Sequence, residues 1–247
     1  NAAPDARYKA ITTIFPYKVG DLKSFDTQAV KEGQIGLLAF KSPNGYQWKP
    51  MFDKPIITHG AFDTQNLAFW DTVRGEYRIY WRYFMEAPEN APFSGTVRDI
   101  RTATSKDFLN WENETELKYP GSPPTSLYTN QIRPYHRAPH MYIGFPVRYL
   151  KRSWSDSMRA LPELEHKQWR ARDSLRYGTA LTDSLIMFSR DGVTFKRWDE
   201  SFLTPGIERP GTWNYGHQYL GWHLVETESK LPGAPRELSL YALERYW

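Results

Sequence analysis

Three copies of one pattern decide the fold: Phe62-Asp-Thr-Gln-Asn-Leu-Ala-Phe69, Tyr128-Thr-Asn-Gln-Ile-Arg-Pro-Tyr135 and Tyr215-Gly-His-Gln-Tyr-Leu-Gly-Trp222. Each copy has an aromatic residue, two variable residues, a Gln, three variable residues and a second aromatic residue. The copies align without gaps. A pattern that recurs along a chain in this way indicates repeated structural units that stack on one another.

A second series lies between the copies of the first. It comprises Ser42-Pro-Asn-Gly-Tyr-Gln-Trp48, Ser105-Lys-Asp-Phe-Leu-Asn-Trp111 and Ser189-Arg-Asp-Gly-Val-Thr-Phe195. Each copy places Asp or Asn two residues after a Ser, and an aromatic residue six after it. Asn-Gly and Asp-Gly favour the positive φ of a tight turn, so this series predicts the turn of a β-hairpin.

Strand-like runs occupy the sequence between the two series. Val73-Arg-Gly-Glu76 is expected to turn one strand back on the strand before it. Each repeat then contains four antiparallel strands, which is the make-up of a β-propeller blade; a repetitive array of β-sandwiches is the alternative. The predicted strands are Gly36–Phe40, Tyr77–Phe84, Met141–Phe145, Ser184–Phe188 and Leu238–Leu243.

The chain of 247 residues holds two complete predicted blades, at about 60–115 and 126–200, and a partial blade at each end. We therefore expect residues 1–247 to form a single β-propeller domain that is incomplete at both ends, either within a five-bladed protein or in a ring that closes with another chain. Extra length at 151–178 predicts an insertion in the second complete blade. Pro162 followed by helix-forming residues predicts a short helix there. The insertion is expected either to overhang the site as a lid or to be a solvent-exposed loop without a role there.

The composition of the chain argues against several classes of function. Aromatic residues make up 16% of the chain, which favours β structure. The 32 basic and 28 acidic side chains are interspersed, for a net charge of +4, which argues against a nucleic-acid partner. No stretch has the apolar length of a membrane span, so we expect no membrane partner. Cysteine is absent, which excludes a thiolate metal site and a cysteine nucleophile. No cofactor is predicted, a structural cation on the propeller axis is not indicated, and the oligomeric state stays open.

Candidate catalytic residues follow from the repeat, because the first residues of the inner strands of a propeller ring one mouth of its central tunnel. Asp63 is a candidate general base, nucleophile or stabiliser of positive charge on a sugar ring; capping of a turn is the alternative. His217 is a candidate proton donor to a leaving oxygen, or else a positioning or core residue. Glu226, or Glu228 on the same strand, is a candidate second carboxylate, unless both lie at the far end of that strand.

Candidate binding residues occupy neighbouring positions. Asn130 takes the place in its copy that precedes the shared Gln. The shared glutamines are expected to contact substrate, or else to bond neighbouring blades together. Aromatic side chains near the third copy offer flat faces on which a sugar stacks. The predicted substrate-binding residues are Asn130, Gln65, Gln131, Gln218, Arg133, Trp213 and Tyr215.

Three arginines suggest that the chain binds an anionic group. Arg98, Arg101 and Arg133 are expected to hold a carboxylate, sulfate or phosphate, or else to pair with acids such as Asp99 and Glu112. His136 and His140 have a spacing seen in metal sites, but Pro139 breaks any helix that would align them, so no metal site is predicted.

The repeat pattern resembles the five-bladed β-propeller glycoside hydrolases, a group that includes families 43, 32, 68 and 117. The resemblance covers most of the chain and lies in its repeat architecture and blade motifs. Asp63, in Phe62-Asp63-Thr64-Gln65, matches the aspartate position of the second blade, although the Pro that follows it in many relatives is missing. Where many relatives carry a glutamate on the next blade, this chain has Thr129-Asn130-Gln131 and no acid.

The resemblance implies a bacterial enzyme that cleaves a glycosidic bond in an oligosaccharide or polysaccharide, with a secreted or periplasmic location. It also implies an acid role for His217, since the anhydro-galactosidase family in this group includes a histidine proposed as the acid. The missing acid keeps other functions open. These are a sugar-binding propeller without activity, a glycoside phosphorylase with phosphate among arginines, and a protein-interaction propeller.

Overall fold

The computed structural model describes residues 3–14, 35–87, 95–207, 209–210, 218–221 and 223–244. Within these residues strands dominate and every helix is short, so the chain is all-β, as the sequence predicts. The strands fall into small antiparallel sheets that follow one another along the chain, and none of the described sheets closes on itself.

The first sheet has three strands, in the order β1 (Tyr8–Ile14), β2 (Gly36–Ser42) and β3 (Lys49–Pro50). β1 and β2 pair along their whole length, with Tyr8 opposite Ser42. Six of the seven β2 residues are buried, so both faces of this strand are covered. This sheet forms the first unit, and β2 and β3 flank the first predicted hairpin turn.

The second unit is a four-stranded antiparallel sheet at the place of the first complete predicted blade. Its strands pair in chain order, and the turn between the first two contains Gly75 at φ +64°, which confirms the turn predicted at 73–76. The strands are β4 (Leu67–Asp71), β5 (Glu76–Glu86), β6 (Thr96–Ser105) and β7 (Glu112–Glu116).

The third unit is another four-stranded sheet, at the place of the second complete predicted blade. A hairpin interrupts it between its second and third strands. The sheet contains β8 (Arg133–Tyr135), β9 (Ala138–Gly144), β12 (Met187–Ser189) and β13 (Phe195–Arg197), and the hairpin contains β10 (Val147–Leu150) and β11 (Leu181–Ser184).

The run Ser184–Phe188, predicted as one strand, is divided between β11 and β12. The break faces Pro146, whose carbonyl accepts a hydrogen bond from the Leu185 amide at 2.8 Å. Because proline has no amide hydrogen, it cannot return the second bond of an antiparallel pair, and the ladder is interrupted there.

The insertion, residues 151–178, lies between β10 and β11. It contains α1 (Asp156–Arg159), α2 (Leu164–Arg170) and a 3₁₀ helix (Leu175–Gly178). The Ser155 side chain accepts a hydrogen bond from the Met158 amide and caps α1. α2 is the short helix that the sequence predicts after Pro162.

The last unit is a hairpin in two parts. β14 (Gln218–Leu220) pairs with β17 (Ala242–Glu244), and β15 (Val225–Thr227) pairs with β16 (Glu237–Ser239). The run Leu238–Leu243, predicted as one strand, is therefore divided between β16 and β17. A further 3₁₀ helix, Pro4–Ala6, precedes β1.

The second sequence series forms the same turn in three units. In the second unit, the Ser105 hydroxyl accepts hydrogen bonds from the amides of Asp107 and Phe108, at 3.3 and 2.9 Å. The Asp107 carboxylate then accepts from the amides of Leu109 and Asn110, both at 2.8 Å. The same bonds recur in the turns that begin at residues 42 and 189. This confirms the hairpin turn predicted from the series.

The residue after the Asp or Asn of each turn has a left-handed backbone, with φ of +80° at Gly45, +74° at Phe108 and +78° at Gly192. Glycine adopts this conformation at no steric cost, whereas Phe108 does so at some cost. Phe108 is almost fully buried and packs edge-on against Tyr77, so packing stabilises it in this conformation.

The hydrophobic core lies between successive units rather than inside any one of them. Ile57 and Leu37 of the first unit pack with Ile79 and Trp81 of the second, and Phe145 of the third unit packs with the last. Neither face of a four-stranded unit is covered without its neighbours. The largest cluster joins the second and third units and contains Phe69, Tyr80, Ile100, Leu117, Leu127, Ile132, Tyr142, Leu185, Met187 and Phe195.

A buried carboxylate adds a polar bond between the second and third units. Asp71 has no exposed side-chain surface and accepts hydrogen bonds from the side chain of Arg74 at 2.9 Å and from the Tyr142 hydroxyl of the third unit. Burial by itself raises the pKa of Asp71, but these bonds outweigh it and hold the pKa below its usual value. A charged hydrogen bond therefore fixes the second unit against the third.

Two matched glycine substitutions separate turn conformation from packing between units. Gly45→Ala meets open space, so only its positive φ costs stability, about 1 kcal/mol. At Gly192 a Cβ would lie 2.9 Å from the Tyr80 hydroxyl and 3.0 Å from Cζ of Arg78, so we expect Gly192→Ala to cost about 1–3 kcal/mol more. Urea unfolding of both variants measures the difference. Equal losses would show that the turn is not pressed against the second unit.

Candidate functional site

The copies of the first sequence series lie immediately before the first strands of their units. Residues 62–66 lead into β4, and residues 128–132 lead into β8. The Thr64 hydroxyl lies 3.5 Å from the Tyr128 carbonyl oxygen, so the two segments are neighbours. Asp63 and Asn130 therefore lie at the same end of adjacent units.

The shared glutamines connect one unit to the next. Gln65 Oε1 accepts a hydrogen bond from the Gln131 amide at 3.1 Å, and Gln131 Nε2 donates to the Leu220 carbonyl at 2.6 Å. Gln218 is buried, and its backbone carbonyl accepts from the Thr182 hydroxyl at 3.3 Å. The side-chain bonds of Gln65 and Gln131 support the alternative that these glutamines hold neighbouring units together. Contact of the three glutamines with substrate stays a prediction.

The side chain of Asn130 also points into the protein interior. Its side chain is almost fully buried, and its Oδ1 accepts from the Ile132 amide at 3.3 Å. The amide therefore shapes the start of β8, and a role in substrate binding stays a prediction.

Asp63 is an accessible carboxylate at this end of the second unit, where the exposed Glu86 also ends β5. Its side chain is 55% exposed and forms an ion pair with Arg82, whose side chain is only 3% exposed. The buried guanidinium of Arg82 on β5 thus holds an exposed carboxylate in one place.

A second buried arginine lies beside the first. Side chains alternate along a strand, which places Arg82, Phe84 and Arg98 on one face of β5 and β6, towards the third unit. The Cζ atoms of Arg82 and Arg98 lie 4.9 and 5.4 Å from the ring centre of Tyr128. They lie 5.2 and 5.3 Å from that of Phe84, and Arg98 is also 4.7 Å from the ring centre of Tyr149.

The insertion adds positive charge to this group. Cζ of Arg176, in its 3₁₀ helix, lies 6.0 Å from the ring centre of Tyr149. Burial, followed by the charges of Arg82 and Arg176, lowers the pKa of Arg98. Burial and the charges of Arg98 and Arg176 likewise lower the pKa of Lys151. We call these neighbouring residues the mouth cluster: Asp63, Arg82, Phe84, Arg98, Tyr128, Tyr149, Lys151 and Arg176.

Arg101, the next arginine of β6, has a different environment. It forms ion pairs with Glu114 and Glu116, at 3.0 and 3.1 Å, so it pairs with acids, although not with Asp99 or Glu112. Asp99 instead accepts a hydrogen bond from the Tyr119 hydroxyl at 3.1 Å, and burial raises its pKa to about 7. Strand alternation points Asp99 away from the mouth cluster.

Glu226 does not join the mouth cluster. It forms an ion pair with Arg137, and their hydrogen bond lowers the pKa of Glu226. Arg137 lies in the turn between β8 and β9, at the end of β8 opposite to Asn130. Glu226 therefore has the far-end position that the sequence left as its alternative. His217, Trp213 and Tyr215 lie outside the described residues.

A cavity of about 850 Å³ lies along β4, from Ala68 towards the other end of the strand at Thr72. Arg133, predicted to bind substrate, lines this cavity, and burial lowers its pKa. Aromatic and basic side chains surround the space, and none of its described lining residues is acidic. The lining residues are Arg7, Tyr8, Lys9, Ala68, Phe69, Trp70, Thr72, Tyr77, Lys106, Phe108 and Arg133.

Some candidate features are missing from the described part of the chain. Its His, Asp and Glu side chains form no group of three or more that could hold a metal ion. No helix in the described ranges is both long and apolar enough to cross a membrane.

Sequence reasoning missed most of the mouth cluster. The one usable signal was in the run Tyr77–Phe84, where Arg78 and Arg82 interrupt an aromatic strand at even spacing, on a face that must be buried. Tyr149 and Lys151 carry no comparable signal, because only the packing of the third unit against the second brings them to Arg98.

The comparisons with known proteins leave the family open. No protein-family model matches the chain, and no curated protein matches it. A solved structure of a BT0996 RGII complex is 14% identical, with a TM-score of 0.43 over 85% of this chain and 57% of that chain. A structure described as a glycoside hydrolase is 14% identical, with a TM-score of 0.44 and the same coverage.

A third solved structure is an N-acetylgalactosamine deacetylase from F. plautii in complex with blood group B trisaccharide. It is 10% identical, with a TM-score of 0.46 over 81% of this chain and 52% of that chain. The chain thus spans about half the length of the solved chains it matches. A functional assignment has to come from the geometry of the site.

The buried His223 gives a test by pH. Its ring nitrogen bonds the Ile143 carbonyl at 3.1 Å, and burial lowers its pKa to about 4. The unfolded chain takes up this proton near pH 6.5 and the folded chain only near pH 4, so His223 by itself makes the fold less stable as the pH drops through this window. Asp99, whose pKa is raised to about 7, contributes in the opposite direction over the same range. We expect the contribution of His223 to be about 1–3 kcal/mol.

His223→Gln removes this titration, so the unfolding free energy is expected to change with pH differently: between about pH 7 and about pH 5 the variant loses about 1–3 kcal/mol less than the wild type, although the variant is less stable overall. The exposed His140 provides the matched control, and His140→Gln should keep the wild-type slope. Urea unfolding at about pH 7 and about pH 5 measures both. An unchanged slope in His223→Gln would place the titrating group elsewhere.

Proposed function

We propose that the chain is a carbohydrate-active enzyme of the β-propeller type that hydrolyses a glycosidic bond, with Asp63 in its catalytic site. The observation that carries the proposal is the exposed Asp63 carboxylate, held by the buried Arg82 where two repeated units meet. The four-stranded units, their repeated turns and the cores between them support the propeller architecture.

Asp63 has the solvent exposure and the fixed orientation that general acid–base catalysis requires. A carboxylate fixed by a buried arginine keeps one orientation, and its exposed oxygen is free to meet a sugar or an activated water. Arg82 is a positioning residue in this scheme. Tyr128 and Tyr149 add aromatic surface beside it.

The second group of the reaction is part of the proposal. His217 occupies the same position in the third copy as Asn130 does in the second copy, directly before the shared Gln. We propose His217 as the proton donor. Glu226 is a poorer partner because its ion pair with Arg137 lies at the opposite end of β8. A second carboxylate about 5 Å from Asp63 would imply retention, and one at about 6.5–9.5 Å would imply inversion.

A sugar-binding protein without activity is the second candidate, and the cavity along β4 favours it. Trp70 is 46% exposed and Tyr8 is 42% exposed, so both present ring faces to this space. Aromatic faces with few polar anchors are typical of sugar-binding surfaces.

The proposed activity is tested by sugar release from a broad panel of oligosaccharides, with and without phosphate, using the full-length gene product. We expect Asp63→Asn to lower release by about 100-fold or more, because the amide can neither accept a proton nor attack. Asp53→Asn, at an exposed carboxylate without a described contact, is the matched control and should release sugar at the wild-type rate.

Release that survives Asp63→Asn would overturn the catalytic role of Asp63. Release that requires phosphate would replace hydrolysis by phosphorolysis. Binding of sugars without release from any substrate would favour the sugar-binding protein.

The cavity is tested separately by Trp70→Ala. Loss of the exposed indole is expected to weaken oligosaccharide binding by about 3- to 10-fold, the usual worth of one stacking contact, and to leave the rate at saturating substrate unchanged. Isothermal titration calorimetry and initial rates measure the two quantities. Trp48→Ala, at an exposed indole outside the cavity, serves as control. Unchanged binding in Trp70→Ala would remove the cavity from the binding surface.

A further inference from the structure

Two arginines are buried side by side in the mouth cluster. Arg82 is 2% exposed and Arg98 is 7% exposed, and their guanidinium groups share the rings of Phe84 and Tyr128. Buried charges are normally paired with an opposite charge, because the low dielectric of the interior makes an isolated ion costly.

Arg98 lacks a described counter-ion. Asp63 pairs with Arg82, and Arg98 has no carboxylate partner among the described residues. Glu86 is exposed on the same face of β5, but it forms no described ion pair with Arg98. The insertion places Lys151 and Arg176 in the electrostatic surroundings of Arg98.

The hydrogen-bond donors of the two arginines also exceed their acceptors. Nε and Nη1 of Arg82 and Nε of Arg98 are buried and bond no acceptor within the described ranges. The Arg98 guanidinium makes no hydrogen bond with any described residue; it contacts the faces of Phe84, Tyr128 and Tyr149 instead. Ring faces stabilise the cation but leave its N–H donors, which lie in the guanidinium plane, to bind an oxyanion.

Position identifies the oxyanion as part of a sugar. These unbonded donors lie in the same cluster as Asp63, where the proposed reaction takes place, and Arg98 retains 7% exposure through which a ligand would reach it. Asp63 repels a second anion, so the ligand's charge belongs on the Arg98 side, away from the scissile bond. A neutral sugar would leave Arg98 without a counter-ion.

We propose that Arg98, with Arg82, Lys151 and Arg176, binds the anionic group of an acidic saccharide, a uronate carboxylate or a sulfate ester, beside Asp63. This inference rests on the proposed function, because it takes the mouth cluster to be a substrate site. The insertion then acts as a specificity element, since it supplies Lys151 and Arg176.

The test compares ligands that differ only in charge. Calorimetry of the full-length protein uses an oligogalacturonate, its neutral methyl ester, a sulfated galactan oligosaccharide, its desulfated form and inorganic phosphate. We expect a charged sugar to bind about 10-fold or more tightly than its neutral counterpart, and added salt to reduce that preference. The uronate and sulfate arms show which anion the site takes.

Arg176→Gln leaves the buried arginines in place and is expected to reduce the preference for the charged ligand by about 5-fold, with little effect on the neutral one. Arg98→Met, which keeps the apolar contacts to the rings, is expected to abolish the preference. Arg172→Gln, at an exposed arginine of the same insertion, is the control and should behave as wild type.

The outcomes separate this inference from the proposed activity. Preference for charged sugars without release would retain the anion site and overturn hydrolysis. Asp63-dependent release with equal binding of charged and neutral sugars would retain hydrolysis and overturn the anion site. Phosphate alone, bound as tightly as the charged sugars in an Arg98-dependent way, would overturn the saccharide assignment. A preference unchanged in both Arg176→Gln and Arg98→Met would overturn the site assigned to these residues.

Discussion

Burial of strand faces between successive units is the constraint on which the rest of the structure depends. A four-stranded antiparallel sheet exposes two faces, and neither is covered inside its own unit. Tyr80 and Ile100 of the second unit and Tyr142 and Met187 of the third lose their contact with water only when the two units pack together. The repeated turn serves the same packing, because the Tyr80 hydroxyl donates to the Gly192 carbonyl of the next unit at 2.8 Å.

The same layer between the second and third units becomes polar towards the mouth cluster. Along one face of β5, Tyr80 belongs to the core, Arg82 pairs with Asp63, and Phe84 contacts the arginines. One strand thus contributes successively to the core, to the positioning of a carboxylate and to the wall of a charged site. A change in how two units pack would therefore alter the site directly. The proposed site needs no separate domain, because residues that are distant in sequence converge wherever two units meet.

The turns could be predicted because their chemistry is local. A Ser followed two residues later by Asp or Asn bonds amides within five residues, so the sequence alone specifies the geometry at residues 42, 105 and 189. Strand breaks were harder to predict: the division at Ser184–Phe188 depends on Pro146, which lies about 40 residues earlier, in the connection between β9 and β10. The mouth cluster was harder still. Asp63 stood out by its place in the repeat, but its partner Arg82 and the neighbouring Tyr149 and Lys151 meet it only across units.

The sequence by itself determined the all-β class, the four-stranded repeat, the hairpin turns and the helix in the insertion, because periodicity, turn chemistry and helix-start signals act over a few residues. The tertiary structure alone decided which charges lie together. It paired Asp63 with Arg82, Arg101 with Glu114 and Glu226 with Arg137, and it left Arg98 among aromatic rings. Electrostatic partners depend on distances of a few ångströms between residues far apart in the chain, and those distances exist only once the units have packed.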